Sequence, residues 1–77
     1  MTQQEFNTKH PEGKELTMIH YDFETGRRTA QQARVMGTKT NPDDKDEFLV
    51  VVLFTATRQQ YEMDPVSFGM FSNMNNL

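Results

Sequence analysis

Residues 48–58 read Phe48-Leu49-Val50-Val51-Val52-Leu53-Phe54-Thr55-Ala56-Thr57-Arg58, and this stretch decides the fold. Seven consecutive apolar residues, rich in Val and Phe, run on into Thr-Ala-Thr. Side chains branched at Cβ and aromatic rings fit a pleated strand. The run does not alternate, so both of its faces are expected to be covered, which makes it the central strand. A chain of 77 residues has little material with which to cover two faces. A partner chain is the expected source of the rest.

Toward the C terminus, Asp64-Pro65 is a helix start, with Asp at the N-cap and Pro at the first helical position. Val66, Met70, Met74 and Leu77 recur at helical spacing, and Phe68 and Phe71 flank that stripe. Gly69 and the Asn-rich end weaken the pattern. A short amphipathic helix or a docked tail is expected to cover one face of the sheet.

Toward the N terminus, residues 38–47 read as a loop around the turn Asn41-Pro42-Asp43-Asp44. Residues 27–36 admit two readings. As the return strand of a hairpin, Ala33 and Val35 share a face. As a helix, Thr29 is the N-cap, Gln32 completes a capping box and Gly37 stops it. Propensity favours the helix, whereas so short a helix is marginal alone and the turn Glu24-Thr25-Gly26-Arg27 suits a hairpin. The hairpin is preferred. In residues 15–24, Ile19, Tyr21 and Phe23 alternate with His20, Asp22 and Glu24, the pattern of a half-buried strand. Residues 1–14 are polar and read as a flexible arm, ordered only if something holds it; Phe6 is the one anchor available.

The architecture expected is α+β: a three-stranded, mostly antiparallel sheet with strands near 16–23, 28–36 and 47–58, covered by the C-terminal helix or tail, in a single domain from residue 15 to 77. If 29–36 is helical, the order becomes β-α-β-α.

Composition limits the core. Hydrophobic residues make up 35% of the chain, eight Lys and Arg face eleven Asp and Glu, and Cys is absent. Small domains usually need a disulfide, a metal or a partner to supplement the core. Disulfides and Cys-based zinc sites are excluded here. The first residues lack the basic start and apolar run of a secretory leader. The longest apolar run falls far short of the roughly 20 residues of a membrane helix. A soluble chain in a reducing cytoplasm is expected.

Several residue groups invite a chemical reading. His20, Asp22 and Glu24, with His10, have ligand chemistry, but alternate polar residues are also what a solvated strand face presents. Ser67 and Ser72 lack a Gly-x-Ser-x-Gly setting, and Gly26, Gly37 and Gly69 form no phosphate loop. No enzymatic activity, metal or cofactor is expected. Arg27, Arg28, Arg34 and Lys39 put four cations and no acid into residues 25–40, a candidate phosphate-binding stripe or an edge that deters strand pairing. Asp43, Asp44, Asp46 and Glu47 form an acidic cluster, either a solvated loop or a match for a basic groove. Phe68, Met70, Phe71 and Met74 lie in a Phe/Met segment of a chain with six Met; such side chains either cover the sheet or anchor an adaptable interface.

A short, Cys-free, mildly acidic chain rich in Gln, Asn, Thr and Met resembles in style the small accessory proteins encoded by bacteriophages. No residue is carried over on that basis. The resemblance implies a host enzyme or defence complex as the partner, met in the host cytoplasm. The leading expectation is a protein-binding module acting by surface occlusion through Phe68, Met70, Phe71 and Met74, with Asp43, Asp44, Asp46 and Glu47 steering. The alternatives are a subunit of a symmetric homo-oligomer or a virion accessory protein, and a nucleic-acid binder using Arg27, Arg28, Arg34 and Lys39.

Overall fold

The computed structural model describes residues 2–72. In chain order it holds α1 (Gln3–Lys9), β1 (Glu15–Tyr21), β2 (Arg28–Asn41), β3 (Asp44–Phe54), β4 (Gln59–Met63) and α2 (Pro65–Ser72). The strands form one antiparallel sheet in the order β1-β2-β3-β4. The class is α+β as expected, with four strands rather than three.

The run at 48–54 is an interior strand, flanked by β2 and β4. Its burial alternates although its composition does not. Phe48, Val50, Val52 and Phe54 are buried, whereas Leu49, Val51 and Leu53 are half-buried. One face belongs to the core, and the other is only partly sheltered. The strand ends at Phe54, earlier than the expected Arg58. There the amide of Arg58 donates to the Phe54 carbonyl at 2.8 Å, closing a turn over Thr55–Arg58, and the chain returns as β4. Sequence reading missed β4 because Gln59-Gln60-Tyr61-Glu62-Met63 is short and polar.

Residues 29–36 are strand, not helix. Ala33 and Val35 are fully buried at alternate positions, and β2 pairs on both sides, so tertiary pairing overrides helix propensity. The strand also continues through the expected loop to Asn41. Between Val35 and Gly37 the register slips by one residue, and Gly37 has φ +136°, a conformation that a side chain would strain. Gly37 is therefore a bulge residue rather than a helix stop. The slip keeps Arg34 and Lys39 on the same outward face, opposite Leu53 and Leu49 respectively. At the tip, Asn41 Oδ1 accepts from the Asp43 amide at 2.9 Å and fixes the turn.

β1 ends at Tyr21, two residues before the expected limit. Asp22 Oδ1 accepts from the Glu24 amide at 2.9 Å, and the Gly26 amide donates to the Asp22 carbonyl at 2.7 Å. This local turn takes Phe23 out of the strand's alternation and leaves it 90% exposed.

Residues read as a flexible arm hold helix α1. Thr2 and Glu5 form a capping box, with the Glu5 amide on Thr2 Oγ1 at 3.1 Å and the Thr2 amide on Glu5 Oε1 at 3.3 Å. Seven residues of helix are marginal alone. Phe6 supplies the tertiary support: it is buried, 5.0 Å from the Phe68 ring and 5.7 Å from the Phe48 ring. Gln3 and Asn7 also bond Thr38 of β2, at 2.9 and 3.0 Å.

Helix α2 begins where expected. Asp64 Oδ1 accepts from the Ser67 amide at 2.8 Å, and the Phe68 amide donates to the Asp64 carbonyl at 3.0 Å. The expected buried stripe is wrong, however. Val66 is 72% and Met70 57% exposed, whereas Phe68 enters the core and Phe71 packs against its margin. Docking against β1 and β3, not helical spacing, selects the buried side. Met74 and Leu77 lie outside the described residues. The core joins Phe6, Met18, Ala33, Val35, Phe48, Val50, Val52, Phe54 and Phe68.

Replacing Phe6 by Ala is expected to cost about 3–5 kcal/mol, the usual scale for a truncated buried ring. Phe23→Ala is expected to stay within about 0.5 kcal/mol of the parent, as for an exposed side chain. Urea midpoints of the two variants check both.

Candidate functional site

The largest departure from ordinary burial lies where the β1–β2 turn meets α2. Once the turn ejects Phe23, its ring packs edge-on against Tyr21 at 4.9 Å and 74°. Tyr21, Phe23, Met70 and Phe71, with Ile19 beneath them and Arg28 beside them, border a shallow hollow of about 530 Å³. Ile19 is buried yet lies outside the main core cluster, and Phe71 joins this apolar region to the margin of the core.

A second cleft of about 590 Å³ shares Ile19, Tyr21, Phe23 and Phe71 and extends to β4. On this side His20, Phe54 and Tyr61 form an edge-to-face cluster, with ring separations of 5.2, 5.5 and 6.0 Å. The Tyr61 hydroxyl donates its single proton to Gln59 Oε1 at 3.0 Å. His20 Nε2 lies 3.3 Å from the same hydroxyl oxygen. The sheet thus curls until side chains of its two edge strands touch, although β1 and β4 do not pair.

The residues singled out from sequence are only partly brought together. Phe68 is a core ring and does not reach the surface. Met70 and Phe71 belong to the apolar region just described, and Met74 lies outside the described residues. Asp43, Asp44, Asp46 and Glu47 are exposed at the β2–β3 hairpin. Asp46 and Glu47 border a cleft of about 850 Å³ together with Lys9, His10, Asp64 and the α2 residues Val66 and Phe68, so part of the acidic cluster does meet α2.

Arg28, Arg34 and Lys39 share the outer face of β2. Arg34 binds Glu15 at 2.9 Å, and Lys39 reaches across β3 to Glu62 at 2.7 Å. Arg34 and Lys39 of the expected stripe are therefore matched by carboxylates, and Arg27 precedes the strand. His20, Asp22 and Glu24 do not share a face, because the strand ends between them. His20 turns to Tyr61, while Asp22 holds the turn through the Glu24 amide, which keeps its carboxyl below the ordinary value. Among the described residues no group of three or more His, Asp or Glu is placed to hold a metal. No helix among them is long and apolar enough to cross a membrane.

Sequence reading put Tyr21 and Phe23 on the buried face of the strand and His20 on the solvated one, and did not single out Tyr61. The signal for Phe23 was present: Asp22 followed by Thr25-Gly26 is a turn that closes before Phe23 can join the strand. Nothing in the sequence signals the meeting of His20 with Tyr61, which are 41 positions apart. No protein-family model matches the chain, and no curated protein or solved structure matches it either.

His10 sits between the rings of Phe6 and Phe68 at 5.0 and 4.9 Å, with Lys14 Nζ 3.1 Å from Nδ1. Burial, then the charges of Lys14 and Lys9, lower its pKa. The folded value lies below the unfolded one of about 6.5, so stability held above that pH is lost as pH falls through the folded value. Urea midpoints measured from pH 7.5 to 5.5 are expected to decline in the parent and to decline less in His10→Gln.

Proposed function

We propose that the chain is a non-enzymatic protein-binding module that occupies a surface of a larger protein. The observation that carries this reading is the contiguous apolar region of Tyr21, Phe23, Met70 and Phe71, with Phe23 almost wholly in solvent. A phenylalanine left out by a stable turn gains nothing for the fold, and exposed apolar clusters commonly mark interaction surfaces. Tyr and Phe provide rigid contact area, while Met adapts to an irregular partner. With the resemblance to bacteriophage accessory proteins, the partner is a host enzyme or defence complex, and occupation of its surface is inhibition.

The nucleic-acid reading has less support, since Arg34 and Lys39 are already matched by Glu15 and Glu62. Exposed pairs of this kind contribute little to stability, but they reduce the charge presented to phosphates. Self-association draws its support from the half-buried Leu49, Val51 and Leu53 on the outer sheet face.

The test is a capture experiment with the parent and a Phe23→Ser, Met70→Ser double variant, at low and high salt. A protein retained by the parent, insensitive to salt and lost by the variant while its melting temperature is unchanged, is the expected result. Retention that persists in the variant, or a captured species that is nucleic acid and is released by salt, overturns the reading.

A further inference from the structure

We infer that the outer edge of β4, with the cleft beside it, receives an extended basic segment of a partner protein as a fifth strand. This rests on the protein-binding reading and specifies how the partner is held.

Two independent features converge on this place. First, β4 is an edge strand: among the described residues it pairs only with β3. Gln59-Gln60-Tyr61-Glu62-Met63 has no Pro, no Lys and no register slip against β3, and Glu62 is its single charge. Its outward amides and carbonyls offer a template for main-chain hydrogen bonds. Second, the cleft of about 590 Å³ runs along the same strand, between β4 and β1, and its walls are Ile19, Tyr61, Met63 and Phe71. Strand addition uses this combination: main-chain bonds supply affinity, and a neighbouring apolar cleft accepts alternate side chains. The curl of the sheet leaves β1 facing β4 across the cleft without pairing among the described residues, bridged by the His20–Tyr61 side-chain contact.

Charge selects the occupant. The cleft lining includes Glu62 and Asp64 and no Lys or Arg. Glu62 is bridged by Lys39 on the outer face. Asp64 caps α2 through hydrogen bonds from the Ser67 side chain and amide and is exposed, which leaves a carboxylate at the border of an apolar cleft. An incoming strand with apolar residues at alternate positions and a Lys or Arg near Asp64 satisfies both features. A second copy of β4 brings Glu62 and no cation, so it does not complement Asp64.

The test uses the intact chain and two blocked hexapeptides at millimolar concentration, one alternating Val with Lys and the other Val with Glu. The readout is amide hydrogen exchange at residues 59–63, followed by NMR. The Val/Lys peptide is expected to slow exchange at β4 amides at least tenfold, and the Val/Glu peptide to bind more weakly. Asp64→Asn keeps a good helix cap but removes the charge. It is expected to weaken the Val/Lys peptide about threefold, the scale of an exposed ion pair. Binding that shifts Tyr21, Phe23 and Met70 without protecting β4 overturns strand addition and leaves the protein-binding reading standing. Protection of β4 that appears without peptide and grows with protein concentration overturns it in favour of self-pairing. If neither peptide binds while the Phe23/Met70-dependent capture persists, strand addition is likewise overturned and only the surface reading remains.

Discussion

Phe6, Phe48 and Phe68 meet as three rings, and the rest of the structure depends on that contact. Phe6 comes from the N-terminal helix, Phe48 from the start of the long interior strand and Phe68 from the C-terminal helix. A chain of this size buries a smaller share of its unfolded surface than a larger domain does, and it has no Cys with which to staple itself. Its two helices have seven and eight residues, too short to persist alone. The ring cluster holds both against one sheet face. Its apolar contacts are supplemented at α1 by hydrogen bonds to Thr38, and at α2 by the Asp64 cap.

The opposite sheet face is built differently. Leu49, Val51 and Leu53 form a stripe that no helix covers, and Glu15–Arg34 and Lys39–Glu62 pairs stand over and beside it. The aliphatic stems of such long side chains can shelter apolar surface while their charged ends stay in water. The bulge at Met36 and Gly37 makes the arrangement possible, because without the register slip Arg34 and Lys39 would lie on opposite faces. This accounts for an uninterrupted apolar run in a strand with only one fully buried face. The sequence argument that required two covered faces overlooked the length of Arg, Lys and Glu side chains.

Edges and turns, rather than the core, leave the surface features. The Asp22 turn expels Phe23, and the curl of the sheet brings His20 to Tyr61 without joining β1 to β4. Between them lies an apolar cleft bounded by an open strand edge. Asp64 both caps the helix and borders the cleft. A chain that uses most of its apolar residues for a minimal core has few to place elsewhere. Among the described residues Tyr21, Phe23, Met36, Tyr61, Val66 and Met70 are exposed outside the core, and Tyr21, Phe23 and Met70 are the ones that gather in one place.

The sequence by itself determined the elements whose signals are local: the β-rich run at 48–54, the Asp64-Pro65 helix start, the hairpin around Gly26 and the absence of any disulfide. Each depends on propensity or on hydrogen bonds within a few residues. It also pointed to Met70 and Phe71, although for a stripe that packing did not select. At 29–36 the sequence preferred the hairpin strand with a helix as the alternative, and the tertiary structure bears out the strand, since pairing on two sides outweighs the helix preference of Ala, Gln and Arg. It alone turned residues 3–9 into a helix, because Phe6 becomes an anchor only when Phe48 and Phe68 are placed to receive it. It decided likewise that Phe68 belongs to the core and Phe23 to the surface. Those outcomes depend on contacts between residues tens of positions apart, and local spacing carries no information about them.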